Sequence, residues 1–216
     1  MSKKEKTAHK TGTQDVRRAL LEAALPDIAF DGWQDSVLER ACEKTGIGIE
    51  DAEKALPDGM AGLALYFSAW ADEKMLQSLA GEDLGALRIR DRVAQGVRRR
   101  LEILTPWKQA VSAAGAMLGL SAQGLAVPKA VWQTADRIWI AAGDTSTDYN
   151  RYTKRLLLSG VLSATTLCWL GDDSPGQQET WDFLDRRIDN VLTLGRGLGS
   201  MGDKLRGFAP RRRKQA

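Results

Sequence analysis

The chain has 216 residues, of which 43% are hydrophobic, and a formal net charge of +3. This length and composition can supply one sizeable core, which favours a single globular domain. The charge is unevenly distributed, because residues 1–18 carry +4 and residues 195–216 carry +6, leaving −7 on residues 19–194. An acidic body with basic ends argues against a broad nucleic-acid-binding surface, whereas basic ends suit an anionic membrane or simply favour solubility.

The positions of the cysteines and of the histidine do not indicate a metal site or a catalytic nucleophile. Cys42 and Cys168 lie in apolar helical patterns, which predicts reduced thiols in a core rather than a disulfide. The one histidine, His9, lies in a lysine-rich opening without the apolar segment of a signal peptide. We therefore expect no metal site, no catalytic triad and no cofactor.

Apolar residues recur at helical spacing through nearly the whole chain. No pair of strands with a hairpin turn stands out, so the sequence predicts an all-α fold. Pro26 is expected to bend or break the first helix. The apolar run Leu156 to Leu170 is too short and too polar for a membrane span and is expected to be a core helix. Helices are predicted over residues 15–30, 36–45, 49–56, 60–80, 87–104, 106–119, 128–141, 147–170 and 176–194.

The predicted helices group into one body with two tails. Residues 1–14 are expected to be a disordered basic tail, and residues 15–57 a set of N-terminal helices arranged like a helix-turn-helix. Residues 58–194 are expected to form the main helical bundle. Residues 195–216 would form a basic tail or an amphipathic helix at a membrane.

The N-terminal helices have the layout of a DNA-binding module but not its charge. A short helix, a turn at Gly46 and a second short helix GIEDAEKAL resemble the helix-turn-helix of TetR-type regulators. The second helix carries Glu50, Asp51 and Glu53 against Lys54 alone, so its negative charge would repel the phosphates of DNA. We expect this module to pack the N-terminal helices and not to contact nucleic acid.

Six arginines between Arg88 and Arg100 raise the nucleic-acid question again. They surround a helix whose apolar residues predict one buried stripe. The favoured interpretation is a solvated helix face that pairs with neighbouring acids. Further along, Asp172 and Asp173 precede Ser174 and Pro175, where a turn and helix capping explain them better than catalysis. The predicted stripe consists of Leu87, Val93, Val97, Leu101 and Leu104.

The segment DRIWIAAGDTSTDYNRYTKR, residues 136–155, combines many polar side chains with an apolar run that follows at once. Asp148, Tyr152 and Arg155 are spaced i, i+4, i+7 and so share one helix face. An arginine beside an apolar run needs a partner if it is buried. That partner could be an acid of the protein or the polar head of a bound amphiphile whose tail fills a cavity.

These residues carry a family resemblance. The pattern continues through LLLSGVLSATTLCWLGDDS and TWDFLDRRID, and RIRD and RRLEIL precede it, so the matches extend over residues 15–190. This ordered pattern resembles the hallmark region of the Coq-nine family, lipid-binding accessory proteins of ubiquinone biosynthesis. The resemblance implies a TetR-like fold without DNA binding, and a helical cavity for isoprenoid or phospholipid. It also implies a partner, the di-iron demethoxyubiquinone hydroxylase, and no catalysis by the chain itself.

The resemblance also implies roles for single residues. Tyr152 and Arg155 match positions that line the mouth of the family's lipid site. A surface patch that docks the hydroxylase is matched by Trp139, Asp144, Asp148 and Tyr149. Arg151 stands where the family often has tryptophan, which would either weaken a hydrophobic docking contact or exchange it for a charged one.

The C-terminal stretch LGSMGDKLRGFAPRRRKQA is expected to contact a membrane. Leu198, Met201, Leu205 and Phe208 recur at helical spacing beside the cations Arg211, Arg212 and Arg213, a pattern typical of an interfacial helix. Three nearby glycines weaken that helix, so a disordered basic tail is the alternative.

Two functions from different classes remain after these tests. The first is a non-catalytic presenter of lipid, peripheral on a bacterial inner membrane from the cytoplasm or, alternatively, on the matrix side of the mitochondrial inner membrane. A homodimer is expected. The second is a TetR-like transcriptional regulator whose cavity senses a small effector.

Overall fold

The computed structural model describes residues 3–120, 126–147 and 149–191, with side chains from Gly12 onward apart from Tyr149. All the regular structure in these ranges is helical, as the sequence predicted. The helices are α1 (Lys3–Asp31), α2 (Asp35–Thr45), α3 (Ile49–Ala55), α4 (Gly59–Leu79), α5 (Ile89–Leu104), α6 (Lys108–Gly119), α7 (Ala126–Ala141) and α8 (Tyr149–Leu170), and a ninth, α9, is described over residues 178–191.

Helix α1 differs from the prediction at its start. It begins at Lys3, so most of the segment expected to be a disordered tail is helical. Lysine, glutamate, alanine and glutamine are good helix formers. The prediction of a disordered tail gave the high charge of the segment more weight than this helix propensity. The helix also continues through Pro26 without a break.

Helices α2 and α3 confirm the helix-turn-helix layout. Gly46 ends α2 in the left-handed conformation at φ 69°, which glycine adopts without a steric penalty. The side chains of Glu50, Asp51 and Glu53 on α3 are exposed. The Nε of Arg17 on α1 donates to the carbonyl of Ala55, which fixes α3 against the first helix.

Helix α4 lies at the centre of the bundle, where it packs against α5 and α7, and α7 in turn packs along α8. At Gly96 of α5 the backbone approaches α7 so closely that an added Cβ would lie 2.8 Å from Cγ2 of Ile138. Both residues are buried. The position of α7 therefore depends on the missing side chain at residue 96.

Most arginines of α5 pair with acids as expected, but Arg92 binds backbone carbonyls and Arg100, with a side chain 12% exposed, does not lie on a solvated face. Arg90 pairs with Asp189 on α9, and Arg99 pairs with Glu82, at 2.5 and 2.6 Å. Arg92 donates to the carbonyls of Leu87, Gly85 and Ala142. The predicted buried stripe is confirmed for Val93, Val97, Leu101 and Leu104. It is wrong for Leu87, which lies just before the helix and is 40% exposed.

The region around α8 and α9 agrees with the sequence-based interpretation. No helix in the part of the chain that the structure describes is long and apolar enough to cross a membrane. Between α8 and α9, the carboxylate of Asp172 accepts the backbone N–H of Ser174 and of Thr180, both at 2.8 Å. This confirms the turn and capping role of Asp172. The hydrogen bonds from Ser174 and Thr180 hold the pKa of Asp172 well below its ordinary value.

Candidate functional site

A cavity of about 540 Å³ opens between α4, α5, α6, α7 and α8. Its volume falls in the range of small-molecule sites in proteins. Most of the described lining is apolar, including Phe67, Leu104, Leu118, Val131 and Leu162. Such a lining favours a hydrocarbon ligand over a water-soluble one.

Polar side chains gather around a buried carboxylate at the α4–α7 side of this cavity. Asp72, whose side chain is 2% exposed, accepts hydrogen bonds from Nε of Arg100 and Nη1 of Arg137, both at 2.7 Å. The hydroxyl of Thr134 donates to the same carboxylate at 2.9 Å, and Nη2 of Arg100 donates to Oγ of Ser68 at 2.9 Å. We name this group the Asp72 cluster: Ser68, Asp72, Arg100, Thr134 and Arg137.

A second polar group, the Asp144 cluster, lies where α7 meets α8: Asp136, Asp144, Ser146, Lys154 and Arg155. The Asp144 carboxylate accepts from Nζ of Lys154 at 2.7 Å, from Nη1 of Arg155 at 2.9 Å and from the hydroxyl of Ser146 at 2.8 Å. Arg155 also donates from Nε to Asp136. This cluster ties the loop after α7 to the first turns of α8.

Asp144 and Arg155 both stay charged in this cluster. Burial opposes ionisation of Asp144, but hydrogen bonds from Lys154, Ser146 and Arg155 outweigh it and hold the pKa of Asp144 well below its ordinary value. Burial would likewise lower the pKa of Arg155, but the hydrogen bonds to Asp136 and Asp144 outweigh it and raise that pKa. Within the described residues, no group of three or more metal-ligating side chains is found.

The two residues expected at the mouth of a lipid site do not line this cavity. The side chain of Arg155 is 2% exposed, and its donors bind Asp136, Asp144 and the carbonyl of Arg151. Tyr152 is 61% exposed, with its ring centroid 6.3 Å from that of Trp132. Although both side chains are described, neither lines the cavity. Of the two partners considered for Arg155, the structure therefore confirms an acid of the protein.

The residues assigned to a docking patch divide into buried and exposed ones. Trp139 is 4% exposed and donates its indole N–H to the carbonyl of Lys154, so its assignment to a surface patch is wrong. Asp144 is likewise enclosed in its cluster, with a side chain 4% exposed. Arg151 is accessible, 44% exposed and 3.5 Å from Asp136. Asp148 and the side chain of Tyr149 lie outside the described residues.

The predicted membrane contacts also lie outside the described residues, because that part of the structure ends at residue 191. The expected role of Leu198, Met201, Leu205, Phe208 and the arginines Arg211, Arg212 and Arg213 stays a prediction.

Sequence reasoning missed the Asp72 cluster entirely. The residues that donate hydrogen bonds to Asp72 lie 28 to 65 residues away from it along the chain. One local signal was present, since Asp72 falls in the apolar sequence of α4 and lies on the same side as the buried Met75 and Leu79. A single carboxylate on a buried helix face indicates a buried polar network.

The all-helical bundle with its helix-turn-helix layout resembles a solved TetR-type regulator in fold. The crystal structure of a TetR transcriptional regulator from Nitrosomonas europaea superposes with a TM-score of 0.65 and 17% identity, covering 82% of this chain and 97% of that one. The likeness confirms the expected fold class.

The family is indicated by sequence comparison. Residues 126–195, which contain α7, α8 and the Asp144 cluster, match the COQ9 family model. The mitochondrial ubiquinone biosynthesis protein COQ9 of Drosophila melanogaster is 31% identical, covering 88% of this chain and 59% of that protein. The human protein of the same name is 26% identical, covering 84% and 59%. The resemblance to the COQ9 family is thereby confirmed, and the chain spans about three fifths of the length of these relatives.

Proposed function

We propose that this protein is a non-catalytic accessory protein of ubiquinone biosynthesis that holds an isoprenoid quinone intermediate or a phospholipid in its bundle. The observation that carries the proposal is the cavity of about 540 Å³ with its largely apolar lining. The names of the related proteins place those relatives in ubiquinone biosynthesis. An isoprenoid tail is the apolar part of the molecules made in that pathway, so the cavity and the relatives support the same ligand.

The mechanism follows from the poor solubility of a polyisoprenoid chain. Each CH₂ group moved from water into an apolar site contributes ~0.8 kcal/mol, so a cavity that accepts part of the tail lowers the cost of drawing it out of the bilayer. The chain would then offer the ring to the di-iron demethoxyubiquinone hydroxylase without doing chemistry itself. The proposed location is a membrane surface, and the relatives, which are named as mitochondrial proteins, favour the mitochondrial alternative over the bacterial inner membrane.

The first experiment tests whether the cavity holds lipid. Gly115 lines the cavity and a Cβ there would meet no atom within 4 Å, so Gly115→Phe can fill the space without an initial clash. Gly160→Phe is the matched control, because Gly160 on α8 is equally open but does not line the cavity. Mass spectrometry of organic extracts should find isoprenoid or phospholipid in the wild type and the control, and strongly reduced lipid in Gly115→Phe. Equal lipid in all three proteins would contradict the proposal.

A second candidate function is a TetR-like transcriptional regulator, which the structural neighbour favours. The exposed acids of α3, Glu50, Asp51 and Glu53, oppose binding to a phosphate backbone. A gel shift with duplex DNA at moderate salt separates the two functions. We expect no sequence-specific shift, and a specific shift would favour the regulator.

A further inference from the structure

We propose that the cavity side of the Asp72 cluster, formed by Ser68, Arg100 and Thr134, recognises the head of the bound amphiphile, with Arg100 as the residue that donates hydrogen bonds to it. This inference rests on the proposed lipid-binding function and adds the chemical class of the head: one that presents oxygen acceptors. Quinone carbonyls and carboxylates share that chemistry.

The position of Arg100 supports this assignment. Among the described residues that line the cavity, Arg100 is the one with a charged side chain, and Ser68 and Thr134 line the cavity beside it. The remaining lining is apolar apart from Ser163 and Thr166 on α8, so the charged partner of a bound amphiphile would lie at the Arg100 side. An amphiphile places its oxygens where donors are available and its tail against the aliphatic residues.

The hydrogen bonds that Arg100 makes within the protein leave some of its N–H donors for a ligand. A guanidinium has five N–H donors in a fixed fork. One of them, on Nε, binds Asp72, and Nη2 binds Ser68. Arg155, by contrast, is enclosed by its carboxylate partners and does not line the cavity. Of these two buried arginines, Arg100 is the one that faces the ligand space.

The charges of the cluster favour acceptors over cations. One carboxylate, Asp72, is paired with two guanidinium groups, Arg100 and Arg137, so the cluster keeps one positive charge. The side chains of Asp72 and Arg100 are 2% and 12% exposed, which limits screening by water. A quinone carbonyl or a carboxylate is attracted to this end, whereas an ammonium head is repelled.

The test compares three amphiphiles with similar tails and different heads. Equilibrium dialysis of full-length protein would use a decyl-substituted benzoquinone, dodecanoate and dodecylamine. Arg100→Met keeps an unbranched apolar stem but removes the donors. It should weaken binding of the quinone and of dodecanoate by about tenfold or more, because hydrogen bonds to charged groups are the stronger ones. Dodecylamine should bind Arg100→Met as well as or better than it binds the wild type.

Arg137→Met is the matched control. It also removes one cation from Asp72, but Arg137 does not line the cavity. Binding of the quinone should change by less than about threefold, since a more distant charge acts only through the field. Should Arg100→Met fail to fold by circular dichroism, Arg100→Lys replaces it. That variant retains the charge but loses the fork, and a clear loss of quinone affinity is still expected.

The outcomes separate this inference from the proposed function. If Arg100→Met, or Arg100→Lys in its place, binds the quinone and dodecanoate like the wild type while Gly115→Phe does not, the cavity holds lipid but the head assignment is wrong. Equal losses in Arg100→Met and Arg137→Met would also overturn the assignment, because they would indicate a general charge effect. If Gly115→Phe retains full binding, the proposed function itself fails.

Discussion

The Asp72 and Asp144 clusters have almost the same composition and different surroundings. Each contains a carboxylate no more than 4% exposed that accepts hydrogen bonds from two cations and one hydroxyl. The Asp144 cluster closes the junction of α7 and α8, whereas the Asp72 cluster borders the cavity through Arg100, Thr134 and Ser68. The same polar chemistry therefore stabilises a helix junction in one place and is available to a ligand in the other.

The largest expected effect comes from Asp144→Ala. Removing this carboxylate leaves the charge of Arg155, whose side chain is 2% exposed, paired with one carboxylate instead of two. We therefore expect the free energy of unfolding to fall by ~3–5 kcal/mol. Urea unfolding at neutral pH measures it, with Asp173→Ala at an exposed position as the control. Any Asp144→Ala protein that folds should still bind the quinone. Loss of binding by folded protein would mean that the two clusters do not differ as described.

Acid should remove the same contribution from the wild type. Hydrogen bonds hold the pKa of Asp144 below its ordinary value of 3.8, so its stabilisation is complete above that value and is lost as pH falls below it. The stability difference between wild type and Asp144→Asn should be greatest at neutral pH and should shrink towards about pH 3. Urea unfolding across this range checks the trend. A difference that grows on acidification would contradict the assigned ionisation.

A moderate effect is expected at the close contact between α5 and α7, because α7 contributes residues to both clusters. Gly96→Ala places a Cβ 2.8 Å from Ile138, and such overpacking costs ~1–3 kcal/mol. Gly160→Ala on α8 meets no atom within 4 Å, so it should stabilise the protein by ~0.5–1 kcal/mol through helix propensity. Thermal unfolding compares the two variants. A stabilised Gly96→Ala would show that α7 can shift without cost.

The smallest effect distinguishes a bonded hydroxyl from an unbonded one in the core. Thr134→Val removes the donor to Asp72 and should cost ~1–2 kcal/mol. The hydroxyl of Thr165, 0% exposed, has no hydrogen-bond partner in the structure, so Thr165→Val should be neutral or stabilising. Urea midpoints of both variants provide the check. Equal costs would indicate that the hydroxyl of Thr134 contributes little to its cluster.

Local patterns predicted most of the fold because helices depend on neighbouring residues. The boundaries of α2 to α8, the turn at Gly46 and the acid-paired arginines of α5 could all be read from the sequence. The start of α1 was missed because strong charge was given more weight than helix propensity at residues 3–14.

The site was predicted less well because it depends on which helices meet. Arg155 was correctly expected to need a partner, but the spacing of residues on one helix cannot tell a protein acid from a ligand head. Trp139 was placed at the surface although α8 covers it. Arg100, Asp72 and Thr134 come from three separate helices, so only the packed bundle brings them together.

Helix α7 contributes adjacent residues to both clusters, Asp136 to one and Arg137 to the other. Successive side chains on an α-helix project about 100° apart, so these two anchors restrain the helix from different sides. Rotation of α7 about its own axis would disturb both ion-pair groups together. The cavity wall and the junction with α8 thus share one mechanical restraint.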